Sequence, residues 1–121
     1  MRLDHVQIAI PLGGEDRARR FFGELLGLKE IEKPEVLRER GGCWFQLDDR
    51  QLHLGVEQEF RPARKAHIAV AVEDLARLRS ALDGAGHEIR DDVPIDGRAR
   101  FFSSDPFGNR IEFVEAGGTA N

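Results

Sequence analysis

Four residues of metal-binding type, His5, His53, His67 and Glu112, stand at matched places in a sequence that nearly repeats itself. The segment Asp4-His5-Val6-Gln7-Ile8-Ala9-Ile10 returns as Ala66-His67-Ile68-Ala69-Val70-Ala71-Val72, with a histidine at the head of an apolar strand in both copies. His5 and His67 are 62 positions apart, and His53 and Glu112, in the strands that close each copy, are 59 apart. A period of that length is one supersecondary unit used twice. Pseudo-twofold symmetry would then bring four ligands to one spot. Imidazole and carboxylate together suit a divalent ion such as Zn, Ni, Mn, Co or Fe(II), and two histidines with one carboxylate also fit an Fe(II) facial triad. A lone histidine on an apolar strand is commonly a hydrogen-bonded structural residue. The matched placement therefore carries the reading, more than any single residue does. Glu112, between Ile111 and Phe113, must point to the opposite face from two hydrophobes, into solvent or a polar cavity.

The elements that position these residues follow from periodicity and punctuation. Leu3 to Ile10 alternates, with His5, Gln7 and Ala9 on one face and Val6, Ile8 and Ile10 on the other, which predicts a strand. Glu15 to Gly27 reads as a helix burying Phe21, Phe22, Leu25 and Leu26, stopped by Gly27. Extended segments are expected over 29–32, over 36–46 with a kink near Gly41-Gly42, and over 51–56, with Asp48-Asp49-Arg50 turning between the last two. The second copy reads as a strand over 67–72, a helix over 73–82 and strands over 87–90, 98–103 and 110–115. Asp105-Pro106-Phe107-Gly108-Asn109 turns between the last two. Residues 57–65, with Pro62 and few apolar side chains, form the expected linker. A flexible tail is expected over 117–121.

At 121 residues, 40% hydrophobic and 33% charged, the chain has the composition of an ordinary globular domain, and each half alone would be marginal. A net charge of −4 argues against a nucleic-acid partner. No apolar run approaches the ~20 residues needed to cross a bilayer, and no signal-peptide core opens the chain, so no membrane partner and a cytoplasmic location are expected. Cys43, beside Trp44 and Phe45, reads as a buried small hydrophobe, and His87, after a glycine turn, as a surface residue. Arg61-Pro62-Ala63-Arg64-Lys65, Arg98 and Arg100 lie near the site strands. Arg100 is the preferred anchor for a substrate carboxylate or phosphate. Gln7 shares the His5 face, and Trp44 and Phe102 could line a groove for substrate.

The repeated order of strand, helix and three strands, with His5, His67 and Asp105-Pro106-Phe107-Gly108-Asn109-Arg110-Ile111-Glu112-Phe113, resembles the vicinal oxygen chelate superfamily over residues 1 to about 116. That superfamily includes glyoxalase I, extradiol dioxygenases, methylmalonyl-CoA epimerase, fosfomycin-resistance enzymes and bleomycin-binding proteins. The resemblance implies an α+β fold in which two tandem βαβββ modules, 1–58 and 66–116, form a curved mixed sheet around a central cavity. It implies a homodimer, and a divalent metal ion held by His5, His53, His67 and Glu112. His53 departs from glyoxalase I, which usually has glutamate there. The implied activity is that of a metal-dependent lyase or isomerase passing through an enediolate of a small oxygen-rich substrate, with Glu112 or His53 as the base. The alternatives are Fe(II) ring-cleaving dioxygenation, fosfomycin-type thiol transfer, and metal-free sequestration of an antibiotic. The presence of competent ligands at all four positions argues against the last.

Overall fold

Each copy of the repeat builds its own four-stranded mixed sheet, as a computed structural model describing residues 1–117 shows. The first unit is Met1–Arg61 and the second begins at Pro62. In the first unit β1 (His5–Pro11) pairs in parallel with β4 (Arg50–Glu57), which pairs antiparallel with β3 (Cys43–Leu47), which in turn pairs with β2 (Lys29–Ile31). The second unit repeats this order. There β5 (Ile68–Val72) lies parallel to β8 (Arg110–Glu115), followed by β7 (Arg98–Ser104) and β6 (Arg90–Ile95). The α+β class and the twofold βαβββ pattern are therefore those read from the sequence. The part of the expected tail over 118–121 lies outside the described residues.

The first helical segment opens as α1 (Glu15–Ala18) and widens into a π-helix over Arg19–Leu25, closed by Leu26 N–H donating to the Phe21 carbonyl five residues back. The π geometry accommodates an extra residue per turn, and both adjacent rings, Phe21 and Phe22, are buried. Phe22 packs against Phe45 of β3 at 5.9 Å between ring centroids, within a core that also holds Ile10, Leu52 and Leu54. Gly27, at φ 78°, ends the helix. In the second unit α2 (Leu75–Gly84) starts at Asp74, whose carboxylate accepts from Arg77 N–H at 3.1 Å. It buries Leu82, while Phe101, Ile111 and Phe113 form the core of its sheet.

Two expected strands are corrected. Residues 36–40 are not extended but belong to a 3₁₀ helix, Glu35–Arg40, because Pro34 presets its entry and the charged side chains that follow have no sheet partner. The extended strand starts only at Cys43, after Gly41 and Gly42, both at positive φ. Residues 87–89 are likewise not strand. Helix α2 runs on to Gly84, and His87 N–H caps it by donating to the Leu82 carbonyl at 2.9 Å. The strand therefore begins at Arg90 and takes in Pro94, which an edge position tolerates. It turns into β7 through Asp96 and Gly97, at φ 50° and 73°, the left-handed pair of a tight hairpin. His87 is half-buried rather than a surface residue, its Nδ1 bonded to the Ser104 carbonyl at 3.0 Å.

Candidate metal and substrate site

Alternation on paired strands gathers the singled-out residues on one face of each sheet. In the first unit Gln7, His53 and Trp44 stand opposite one another across β1, β4 and β3. In the second unit Ala69, Glu112, Phe102 and Arg90 make the corresponding row across β5, β8, β7 and β6. His53 and Glu112 thus occupy equivalent positions of the two sheets, as do Trp44 and Phe102.

The first unit's row is aromatic. His53, 5% exposed, stacks on Trp44 with centroids 3.6 Å apart and planes 3° apart, and His5 stacks against it at 4.2 Å. His53 Nε2 donates to Gln51 Oε1 at 2.9 Å, which leaves Nδ1 as its lone-pair nitrogen. Burial, and then the neighbouring His5, push its pKa below the ordinary 6.5, so the ring is held neutral. His5 Nδ1 donates to Asp4 Oδ2 at 2.8 Å, which turns Nε2 outward as a lone pair and holds the Asp4 carboxyl below its ordinary value. Gln7 lies across Gly55. A Cβ there would stand 2.9 Å from Gln7 Nε2, so the absence of a side chain at 55 makes room for the amide.

The second unit's row is ionic. His67 Nδ1 donates to the Lys65 carbonyl at 2.9 Å, and its Nε2 faces Glu112 Oε1 at 3.1 Å. With Nδ1 carrying the hydrogen, a neutral His67 and an ionised Glu112 turn two acceptors toward each other. That arrangement calls for a cation, either a proton or a metal ion, and an imidazole oriented through its other nitrogen is the common condition of a metal-ligating histidine. Glu112 is 8% exposed, and its Oε2 lies 3.5 Å from Arg100 Nη1. Arg100 also pairs with Asp92 at 3.2 Å and donates through Nε to the Val93 carbonyl at 2.8 Å. These three contacts tie Glu112 to β6 through Arg100. Phe102 packs edge-on against the His67 ring at 5.0 Å.

The structure therefore brings the expected ligands together as two pairs, His5 with His53 and His67 with Glu112. Among the described residues no group of three or more His, Cys, Asp or Glu side chains is arranged to hold a metal ion. By donor chemistry, His67 Nε2 with the Glu112 carboxylate in the second unit, and separately His5 Nε2 in the first, are groups of the type that binds a divalent ion. His53 keeps Nδ1 as a donor, but its ring is buried and stacked on both Trp44 and His5. Sequence reasoning missed Asp4 and the Lys65 carbonyl as the groups that orient the two histidines, although an acidic neighbour at Asp4 was a visible signal. It also missed Arg110, two residues before Glu112 on the same strand face.

The turn Asp105-Pro106-Phe107-Gly108-Asn109 sets the register of β8. Buried Asp105 accepts from Phe107 N–H at 2.9 Å and Asn109 N–H at 2.8 Å through Oδ1, and from Asn109 Nδ2 at 2.8 Å through Oδ2. Burial raises its pKa, and those hydrogen bonds oppose the rise.

No helix among the described residues is long and apolar enough to cross a membrane. No curated protein matches this chain. Among solved structures it is similar to a glyoxalase family protein from Bacillus anthracis, at 48% identity and a TM-score of 0.90 over 97% of this chain and 96% of that one. It is also similar to a glyoxalase/dioxygenase from Nostoc punctiforme, at 23% identity and a TM-score of 0.72 over 93% and 90% of the two chains. A genomically encoded fosfomycin resistance protein, FosX, from Listeria monocytogenes shares the fold at 14% identity and a TM-score of 0.76 over 98% and 95%. The sequence pattern of one superfamily matches residues 2–113, nearly the whole of both repeats. With the repeated βαβββ order and the Asp105-to-Glu112 turn and strand, that match makes the chain a member of the Glyoxalase/Bleomycin resistance protein/Dioxygenase superfamily.

Proposed function

We propose that the protein is a divalent-metal-dependent lyase or isomerase acting on a small oxygen-rich substrate, with Glu112 as the proton-transferring group. The observation that carries this reading is the facing of His67 Nε2 and Glu112 Oε1 at 3.1 Å, with the other side of each group already fixed, His67 by Lys65 and Glu112 by Arg100. His67 and Glu112 are the second unit's metal donors, and His5 is a donor of the same kind in the first. A divalent ion, when bound, supplies Lewis-acid polarisation of two neighbouring substrate oxygens. Glu112 would take a proton from a substrate carbon beside a carbonyl and return it to the adjacent carbon or the leaving atom. Arg100 keeps the carboxylate oriented, and Phe102 packs edge-on against the His67 ring. His53, neutral and stacked on Trp44 and His5, serves as a packing element of the first unit rather than as the base.

Elemental mass spectrometry of protein purified without chelator or affinity tag tests this reading. About one metal per chain is expected in the wild type, with loss in His67→Ala and Glu112→Ala. Arg100→Met, which removes a group that orients a ligand, should weaken metal retention about 10- to 100-fold. No metal in the wild type after incubation with Zn, Ni, Mn, Co and Fe(II) would overturn the proposal and leave ligand sequestration as the better reading. With metal present, hemithioacetals are the first substrates to assay.

A further inference from the structure

We infer that a cleft beside Phe102 in the second unit binds an oxyanion, the carboxylate or phosphate of the substrate, through Arg110 and Arg64. The cleft has a volume of about 140 Å³, and its walls include Arg64, Arg90, Arg110, Glu88, Phe102 and Ser104. Three cations against one carboxylate leave an excess of positive charge. Arg90 is already paired with Glu88 at 3.0 Å. The guanidinium carbon of Arg110 stands over the Phe102 ring, 4.1 Å from its centroid, and one nitrogen makes a long 3.5 Å contact to the Arg64 carbonyl. Among the described residues neither Arg110 nor Arg64 has a carboxylate partner. A guanidinium seated over a ring is confined by it while its N–H donors remain free to hydrogen-bond, and such a fork can grip two oxygens of one anion. Arg100, by contrast, is already paired with two carboxylates, Glu112 and Asp92, as well as the Val93 carbonyl, so the anchoring role expected for Arg100 passes to Arg110.

The position of the cleft defines the substrate class. Arg110 precedes Glu112 by two residues on the same strand face, about 7 Å along the strand. Phe102 touches both ends, the His67 ring on one side and Arg110 on the other. An anion held by Arg110 is therefore one short carbon chain from Glu112. The substrate is a small oxo or hydroxy compound whose far end carries a carboxylate or a phosphate. This inference rests on His67 and Glu112 being the reaction centre only for the claim that the anion is the substrate's own.

The test is titration of inorganic phosphate, and separately of acetate, into the protein as purified, at constant ionic strength and followed by ¹H–¹⁵N NMR. Phosphate should shift the amides of Ser104 and Arg110, and its affinity should fall at least tenfold in the Arg64→Gln/Arg110→Gln double variant. Exposed Arg64 tolerates replacement, so Arg64→Gln alone should show a measurable loss even if changing Arg110 disturbs folding. In Glu112→Gln phosphate should bind at least as tightly as in the wild type, which separates this site from the reaction centre. The probe that binds more tightly, phosphate or acetate, identifies the anionic group. Absence of binding, or equal phosphate affinity in wild type and double variant, would overturn the inference while leaving metal retention at His67 and Glu112 as a separate question.

Discussion

At the scale of single residues the two units put the same strand positions to different use. His53 and Glu112 are equivalent in register, yet one is a neutral ring in an aromatic stack and the other a carboxylate held by an arginine. The difference has a consequence with pH. Because folding depresses the His53 pKa, the unfolded chain binds the proton more readily. Its contribution to stability is present above about pH 6.5, the unfolded value, and is lost as the pH falls through the depressed folded value. Urea denaturation of the wild type and His53→Gln across pH 4.5 to 8 should show a smaller decline on the acid side for the variant. Identical slopes would mean that some other group carries the acid sensitivity. Buried Cys43, whose thiol burial pushes up to about 11, should stay unreactive toward thiol reagents until the first unit opens.

At the scale of elements, glycines decide where strands can begin. Gly42 sits at φ 84°, its N–H donates to Glu15 at 2.9 Å, and a Cβ would lie 2.0 Å from the Leu54 carbonyl oxygen. No side chain fits there without breaking the β3–β4 approach, so Gly42→Ala should cost about 3 kcal/mol or more in chemical denaturation. A loss below 1 kcal/mol would mean that the strands part easily. The same elements show how far the sequence could be read. Strands β1, β4, β7 and β8 are legible within two residues, because a half-buried strand must alternate and each is bounded by turn residues. The 3₁₀ helix at 35–40 is not, since Val36 and Leu37 look extended by type and only Pro34 hints otherwise. The true start of β6 is hidden by the helix cap that takes up His87, although the Asp96-Gly97 pair marks the hairpin at its other end. At the site, the internal repeat makes His67 and Glu112 legible as partners. The separate commitments of Arg100 and Arg110 are not, because both are arginines entering site strands and only the contacts tell them apart.

At the scale of the whole molecule the internal repeat governs stability as well as chemistry. Each unit has only about 60 residues, a size at which a single core is marginal, so ligands that bind the folded state should weigh heavily. A divalent ion at a hundred times its dissociation constant adds about 2.7 kcal/mol, which for a chain of this size is a rise in melting temperature on the order of 10 °C. Scanning calorimetry with and without Zn or Ni should show that rise in the wild type and little of it in Glu112→Gln. A flat response in the wild type would count against the metal site independently of any assay of turnover. The Asp105–Asn109 turn, finally, works as a ruler. Side chains in β8 alternate between the two faces of the sheet, with Ile111 and Phe113 on one and Glu112 on the other, so one residue gained or lost in that turn would send Glu112 into the hydrophobic interior and turn Ile111 or Phe113 outward. In descendants of this sequence, insertions and deletions in this turn are therefore closed, and the length of the loop should be inherited faithfully.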